Sequence, residues 1–206
     1  MQRRNLISKL CSNIYLVLVF LFLYAPILAL VIFSFNDSKS MGVLNGFTMK
    51  WYVALFRNET ILSALYYTIS IAVLASIIST IFGTITSIGI YKMRGKTKAT
   101  ILNINYLPVL NTDIVTGVAL MSLFAFFQMN FGFKTMLLSH VMFCTPYVIL
   151  SVLPKLRQLP DNVEEAALDL GATPWLAIRK IVIPQIKPGI MSGFLMAFTM
   201  SIDDFI

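Results

Sequence analysis

Residues 60–91, TILSALYYTISIAVLASIISTIFGTITSIGIY, run from Glu59 to Lys92 without one charged side chain. A hydrocarbon core of about 30 Å needs about 20 apolar residues in a helix, so this run holds one crossing. Ala75, Ser79, Gly83 and Ser87 recur at every fourth position within it. That spacing puts four small side chains on one helix face, where two backbones can approach closely. Tight helix packing is the expected use of such a face, with a pore lining as the rival. A second small stripe, Gly189, Gly193, Ala197 and Ser201, has the same spacing near the C-terminus.

Working outward, Lys9 to Asp37 encloses 27 uncharged residues and Lys134 to Lys155 encloses 20. Each holds one further crossing. Arg3, Arg4 and Lys9 precede the first run as they would in a secretory leader, but a leader's apolar region is only about 7–15 residues. This run is a retained anchor helix, with Pro26 as its expected kink. Between Lys98 and Lys134 the only charge is Asp113, within 35 residues. One helix of that length would be about 52 Å, too long for a simple crossing. Pro108 and the polar cluster Asn111-Thr112-Asp113 predict a broken or bent approach, followed by a helix through Val115–Phe127. The last apolar segment starts at Gly189 and meets Asp203 and Asp204.

The expected fold is all-α and integral to the membrane. It is a single transmembrane domain over 1–206, with five helices near 12–35, 62–91, 106–130, 135–154 and 189–206 and one inner loop at 155–188.

Composition agrees. Of 206 residues, 58% are hydrophobic and 12% charged, against about 25% charged in soluble domains. Half the usual polar coat is missing, which excludes a soluble enzyme or binding module. Ten Gly, eight Pro and two Cys exclude collagen-like and disulfide-framework chains. Cys11 and Cys144 lie far apart and read as small buried hydrophobes. The net charge of +7 would suit a nucleic-acid binder, but no water-exposed basic domain is present to carry it. A positive-inside bias explains the charge better. With the N-terminus in the cytoplasm, 12 of the 16 basic residues fall on the inner side.

The inner loop holds nine charged residues and legible helix grammar. Asp161 and Glu164 form a capping-box pattern. Val163, Ala166, Ala167 and Leu170 are expected along one side of a short helix, which Gly171 stops. Thr173-Pro174 reads as N-cap and first turn of a second short helix, which Pro184 and Pro188 should end before the membrane. A lipid-lying helix would favour bulky apolar residues and a basic face. Ala166-Ala167 with Glu164, Glu165 and Asp169 instead suits a groove on a partner protein, Glu165 offering a charge to an Arg or Lys.

Glu165-Ala166-Ala167, Gly171, Ile181 and Ile183-Pro184 together resemble the EAA motif of ABC importer permeases. Six of seven anchor positions match, Ile183 standing where Leu is usual. Trp51-Tyr52, Leu107-Pro108 through Asp113-Ile114-Val115, and Ser201-Ile202-Asp203-Asp204-Phe205 are similar to the spermidine/putrescine branch of that family, with Thr112 replacing a frequent Pro. The resemblance implies a type I, MetI-like bundle in a bacterial inner membrane, normally of six helices. The chain would then be C-terminally truncated after its fifth. It also implies that Glu165, Ala166, Ala167, Gly171, Ile181 and Pro184 couple to an ATPase. The implied partners are a homologous second permease, two ATP-binding subunits, an extracytoplasmic binding protein and a small cationic cargo. An ion-coupled carrier, or an ABC permease for another solute, is the alternative.

No catalytic centre is legible. Gly95-Lys96-Thr97 imitates the end of a P-loop, but the first glycine would have to be at 90, where Ile90 stands. One histidine builds no typical metal site, and no cofactor is expected. Asp113 in an apolar stretch costs about 2.5–3.5 kcal/mol if charged at the membrane centre, so it should face a cavity or a partner. It lines the translocation path or secures a helix break. Asp203 and Asp204 carry the same two readings, tilted to an outer-mouth or binding-protein contact. His140 is expected to bond between helices.

Overall fold

A computed structural model describes residues 2–38, 42–43, 45–160 and 163–203, the side chains of 2–11 and 164 excepted. Among the described residues eight helices follow in order: α1 (Gln2–Ser34), α2 (Lys50–Arg57), α3 (Glu59–Lys92), α4 (Gly95–Leu110), α5 (Asp113–Phe126), α6 (Phe133–Leu156), α7 (Val163–Asp169) and α8 (Pro174–Asp203). Four stretches are long and apolar enough to cross a membrane: Ser12–Ser34, α3, α6 and α8. The pair α4 and α5, bent by 107° at their break, has the form of a broken span or a re-entrant loop and would be a fifth crossing in the first case. The bend falls at Asn111-Thr112, the polar cluster that the sequence marks.

The chain divides into two compact units, residues 1–63 and 64–206. In the first, the segment after α1 folds around Asn36, which is 3% exposed. Its side chain donates to the Val43 carbonyl (2.6 Å) and accepts from the Asn45 amide (2.7 Å). Its carbonyl accepts from the Trp51 indole at 2.8 Å. Most buried polar groups are partnered, and here the side-chain amide, its oxygen and the carbonyl of one asparagine all are.

In the second unit, α6 is the central element. The small stripe of α3 faces it: a methyl at Gly83 would lie 2.6 Å from Val148 Cγ1. The small stripe of α8 faces it too, Gly193 meeting Val148 at 3.2 Å and Gly189 meeting Lys155 at 2.7 Å by the same construction. Both stripes therefore serve helix packing. Ile90, Val148, Val152, Leu156, Val182, Ile186 and Ala197 are buried in one apolar cluster beside them.

The His140 ring Nδ1 pairs with Ser201 Oγ at 2.8 Å, an α6–α8 bond of the expected kind. The neighbouring Cys144 Sγ donates to the Ala197 carbonyl at 3.4 Å. Interhelical bonds in membrane proteins average about 0.6 kcal/mol with a maximum near 1.7. Ser201→Ala should therefore lower thermal stability by about that much, measured on the purified protein in detergent, without preventing insertion.

One expectation needs correcting. The second loop helix does not end at Pro184 or Pro188; it runs through both, unbroken from Pro174 to Asp203. Proline lacks the amide that bonds four residues back, and its ring crowds that residue's carbonyl. Residues Ile178–Val182 form a π-helical turn in which the Ile183 amide reaches back five residues to Ile178. That wider turn immediately before Pro184 accommodates the ring without ending the helix. Among the described residues, the non-helical connections on this side are thus those between α6 and α7 and between α7 and α8, and the rest of 155–188 is helical.

Candidate functional site

The local chain of α7 explains its exposed surface. Gly171 has φ of +85°, a conformation in which an L side chain is strained. Its amide donates to the Leu168 carbonyl (2.9 Å), and the Ala172 amide donates to Ala167 (3.0 Å). Those two bonds are the paired closure of a Schellman stop, which satisfies carbonyls the helix end would leave orphaned. Two residues later the Thr173 hydroxyl accepts from the Leu176 amide at 3.4 Å, with Pro174 in the first turn of α8. The expected stop and restart are both present. Asp161, the expected N-cap of α7, lies outside the described residues.

Between them these caps fold α7 back on the start of α8. Ala167 is buried at 5%, while Glu165, Ala166, Asp169 and Leu170 are exposed. Ala166 and Leu170 therefore leave the side they were expected to share with Ala167. Two turns of helix are too short to bury more than one narrow stripe, and Leu170 already belongs to the turn. Leu170 is 90% and Trp175 68% exposed. These two apolar residues stand on either side of the Gly171 stop, after the acid and alanines that the sequence singles out. Motif spacing had not pointed to them; bulky side chains on either side of a helix stop were the available signal. Ile181 is half-buried in the π turn and Pro184 exposed after it.

A second feature lies along α6. A cavity of 280 Å³ is bounded by α4, α5 and α6, with Asp113, Thr116, Thr135, Ser139, His140 and Tyr147 among its polar lining. Phe124, Met121 and Phe143 supply much of the apolar wall. Asp113 is exposed and occupies the first turn of α5 after the N-cap Thr112, where the helix dipole favours a carboxylate. Thr112 makes no side-chain cap bond. The break that replaces a straight crossing thus delivers one acid to the mouth of a largely apolar chamber. Asp203, exposed at the end of α8, is not part of that lining, and Asp204 lies outside the described residues. No cluster of three metal-ligating side chains occurs among the described residues.

Residues 87–206 match the family described as "Binding-protein-dependent transport system inner membrane component". The chain is 36% identical over 192 residues to the spermidine/putrescine transport system permease protein PotC of Haemophilus influenzae, covering 93% of this chain and 75% of that one. It is 39% identical over 200 residues to the putrescine transport system permease protein PotI of Escherichia coli, covering 93% and 70%. A solved bacterial ABC transporter that imports the acidic polysaccharide alginate superposes with a TM-score of 0.74 at 15% identity, covering 98% of this chain and 75% of its own. That likeness is one of fold.

Proposed function

The chain belongs to the family of binding-protein-dependent transport system inner membrane components, and on that premise we propose that it forms half of the path of an ATP-driven polyamine importer. Two ATP-binding subunits, a homologous permease and an extracytoplasmic binding protein would complete the assembly. The chain itself would carry no catalysis and would insert with its N-terminus in the cytoplasm, as the placement of its basic residues favours.

The observation that carries this reading is mechanical continuity. The exposed face of Glu165, Ala166 and Leu170 is tied by the Gly171 stop to the start of α8. From there one helix runs 30 residues, buries Val182 and Ile186 in the core and packs Gly189 and Gly193 against α6. A displacement imposed on α7 by an ATPase cleft would pass along α8 to α6, which walls the cavity. Interiors packed at this density move as discrete units rather than deforming smoothly. A proton-driven carrier would leave the α7 surface without a role.

Polyamine as cargo rests on the relatives that bear that name and on Asp113. Protonated amines need a carboxylate or a polar cage once water is shed, and Asp113 stands at the chamber's edge. The alginate importer shares the fold while carrying an acidic polymer, so the fold alone does not select a cation. Asp113→Asn removes the charge and keeps the shape. In reconstituted vesicles with the full set of partners, it should lower the apparent affinity for spermidine about tenfold, the equivalent of about 1.4 kcal/mol. Unchanged uptake by a normally inserted variant would remove Asp113 from the path.

A further inference from the structure

The short helix α2 is strongly amphipathic. Trp51, Tyr52, Leu55 and Phe56 fall on one face, with Lys50, Ala54 and Arg57 opposite. No residue of it is buried; on that face Phe56 is 68%, Leu55 39% and Tyr52 37% exposed and Trp51 half-buried. The nearby Phe47, stacked on Phe35 with ring centres 5.3 Å apart, is 76% exposed. In water such a surface would be costly to leave open.

Its position says what covers it. The apolar span of α1 ends at Ser34, whose hydroxyl bonds the Tyr52 hydroxyl at 2.8 Å. The Trp51 indole reaches the Asn36 carbonyl, and the Thr48 amide donates to Phe35 at 2.8 Å. Lys50 pairs with Asp37. At the other end, Asn58 follows Arg57 directly and accepts from the Thr60 and Ile61 amides that open α3. The helix is therefore fastened between the end of one membrane span and the start of the next, which lie on one side of the bilayer. Tyr52 and Trp51 are the amphipathic aromatics of an interfacial belt, their polar tips held by Ser34 and Asn36 and the Tyr52 ring set against Phe35 at 5.3 Å.

We propose that α2 is an interfacial helix seated on the bilayer, its Trp51–Tyr52–Leu55–Phe56 face at the headgroup–acyl boundary, where it fixes the depth at which the first span ends. This rests on the membrane assignment and not on cargo or coupling. The α2 face starts where the apolar span of α1 ends, so a bilayer holding α1 would reach it, whereas a soluble partner would have to cover the face after leaving it open to water.

Trp51 is its own reporter, because Trp175 is the only other tryptophan. The Trp175→Phe protein, assembled with its partners in phospholipid vesicles, should show blue-shifted Trp51 emission. Lipid brominated high on the acyl chain should quench most of it, lipid brominated near the chain end less, and aqueous iodide little. Phe56→Asp, made in the same background, should loosen the seat and shift quenching from bromolipid towards iodide. A Trp51→Phe control fixes the background. Emission open to iodide and indifferent to both brominated lipids would overturn the proposal, and iodide protection appearing only on adding the binding protein would assign the face to that partner instead. ATP-driven uptake, measured in parallel, reports separately on the function proposed above.

Discussion

Gly171→Val is expected to abolish ATP-driven uptake and to release the ATP-binding subunit, while membrane insertion and thermal unfolding stay near those of the parent. A methyl at Gly171 would meet nothing within 4 Å, so a clash cannot be the cause. The cost lies in the backbone: φ of +85° charges an L residue about 1–2 kcal/mol, and a β-branched one more. Helix α7 has only seven residues, below the length at which a helix holds itself, so its stop is a large part of what keeps it folded. A penalty of one or two kcal/mol shifts such an equilibrium by about 5–30-fold. Asn enters this region far more readily than Val, so Gly171→Asn should retain most of the uptake. Glu165→Arg should reproduce the loss by reversing the one charge beside Ala166, with α7 itself intact. Uptake and co-purification tested on the complete assembly give the answer, and a Val variant that transports normally would show that the turn does not transmit the motion.

Much of this was legible because membrane chains write their spans in charge. The clean runs bounded by Glu59 and Lys92 and by Lys134 and Lys155 fall within α3 and α6, and the one bounded by Lys9 and Asp37 falls within α1 but for its last two residues. The bend before Asp113 was also readable, since Pro108 and three polar residues cannot sit comfortably in an unbroken apolar span. The misread end of α8 has a definite source. Proline is a reliable stop only while the preceding turns are α-helical, and nothing in the residues Ile178–Val182 themselves marks a π turn. The exposed pair Leu170 and Trp175 escaped for another reason: periodicity assigns faces on a long helix, and α7 is too short for its faces to be fixed before the neighbouring helix is known. At Asn36, three hydrogen-bond partners come from residues 7 to 15 positions away, a convergence that lies in chain folding rather than in any local pattern.

The second large effect concerns the small stripes. Val148 is fully buried and stands between α3 and α8. A methyl at Gly83 would lie 2.6 Å from its Cγ1 and 2.7 Å from its Cβ. Rotating Val148 moves Cγ1 but leaves Cβ in place, so the two helix backbones must part. Overpacking of this kind costs about 1–3 kcal/mol, and Gly83→Ala should lower the unfolding temperature of the assembly by a corresponding amount. At Gly193 the nearest atoms are 3.2 Å and 3.3 Å away, which a small adjustment can absorb, so Gly193→Ala should be mild. Gly189 falls between: Lys155 Cγ at 2.7 Å belongs to a flexible side chain, but the Ser151 carbonyl at 3.2 Å does not. Val148→Ala alone removes two buried methyl groups at about 0.8 kcal/mol each. Combined with Gly83→Ala it should cost less than the two changes separately, because the Cγ1 clash disappears with the methyls, leaving only the Cβ contact. Thermal melts of the four proteins measure that coupling. Strict additivity, or Gly193→Ala as the most damaging change, would mean that Val148 is not the wedge that holds α3 and α8 on α6. The same cycle bears on transport. If Val148 is the wedge, loosening it should weaken the step from α8 to the chamber wall, so uptake per ATP hydrolysed should fall in Gly83→Ala and partly recover in the double variant.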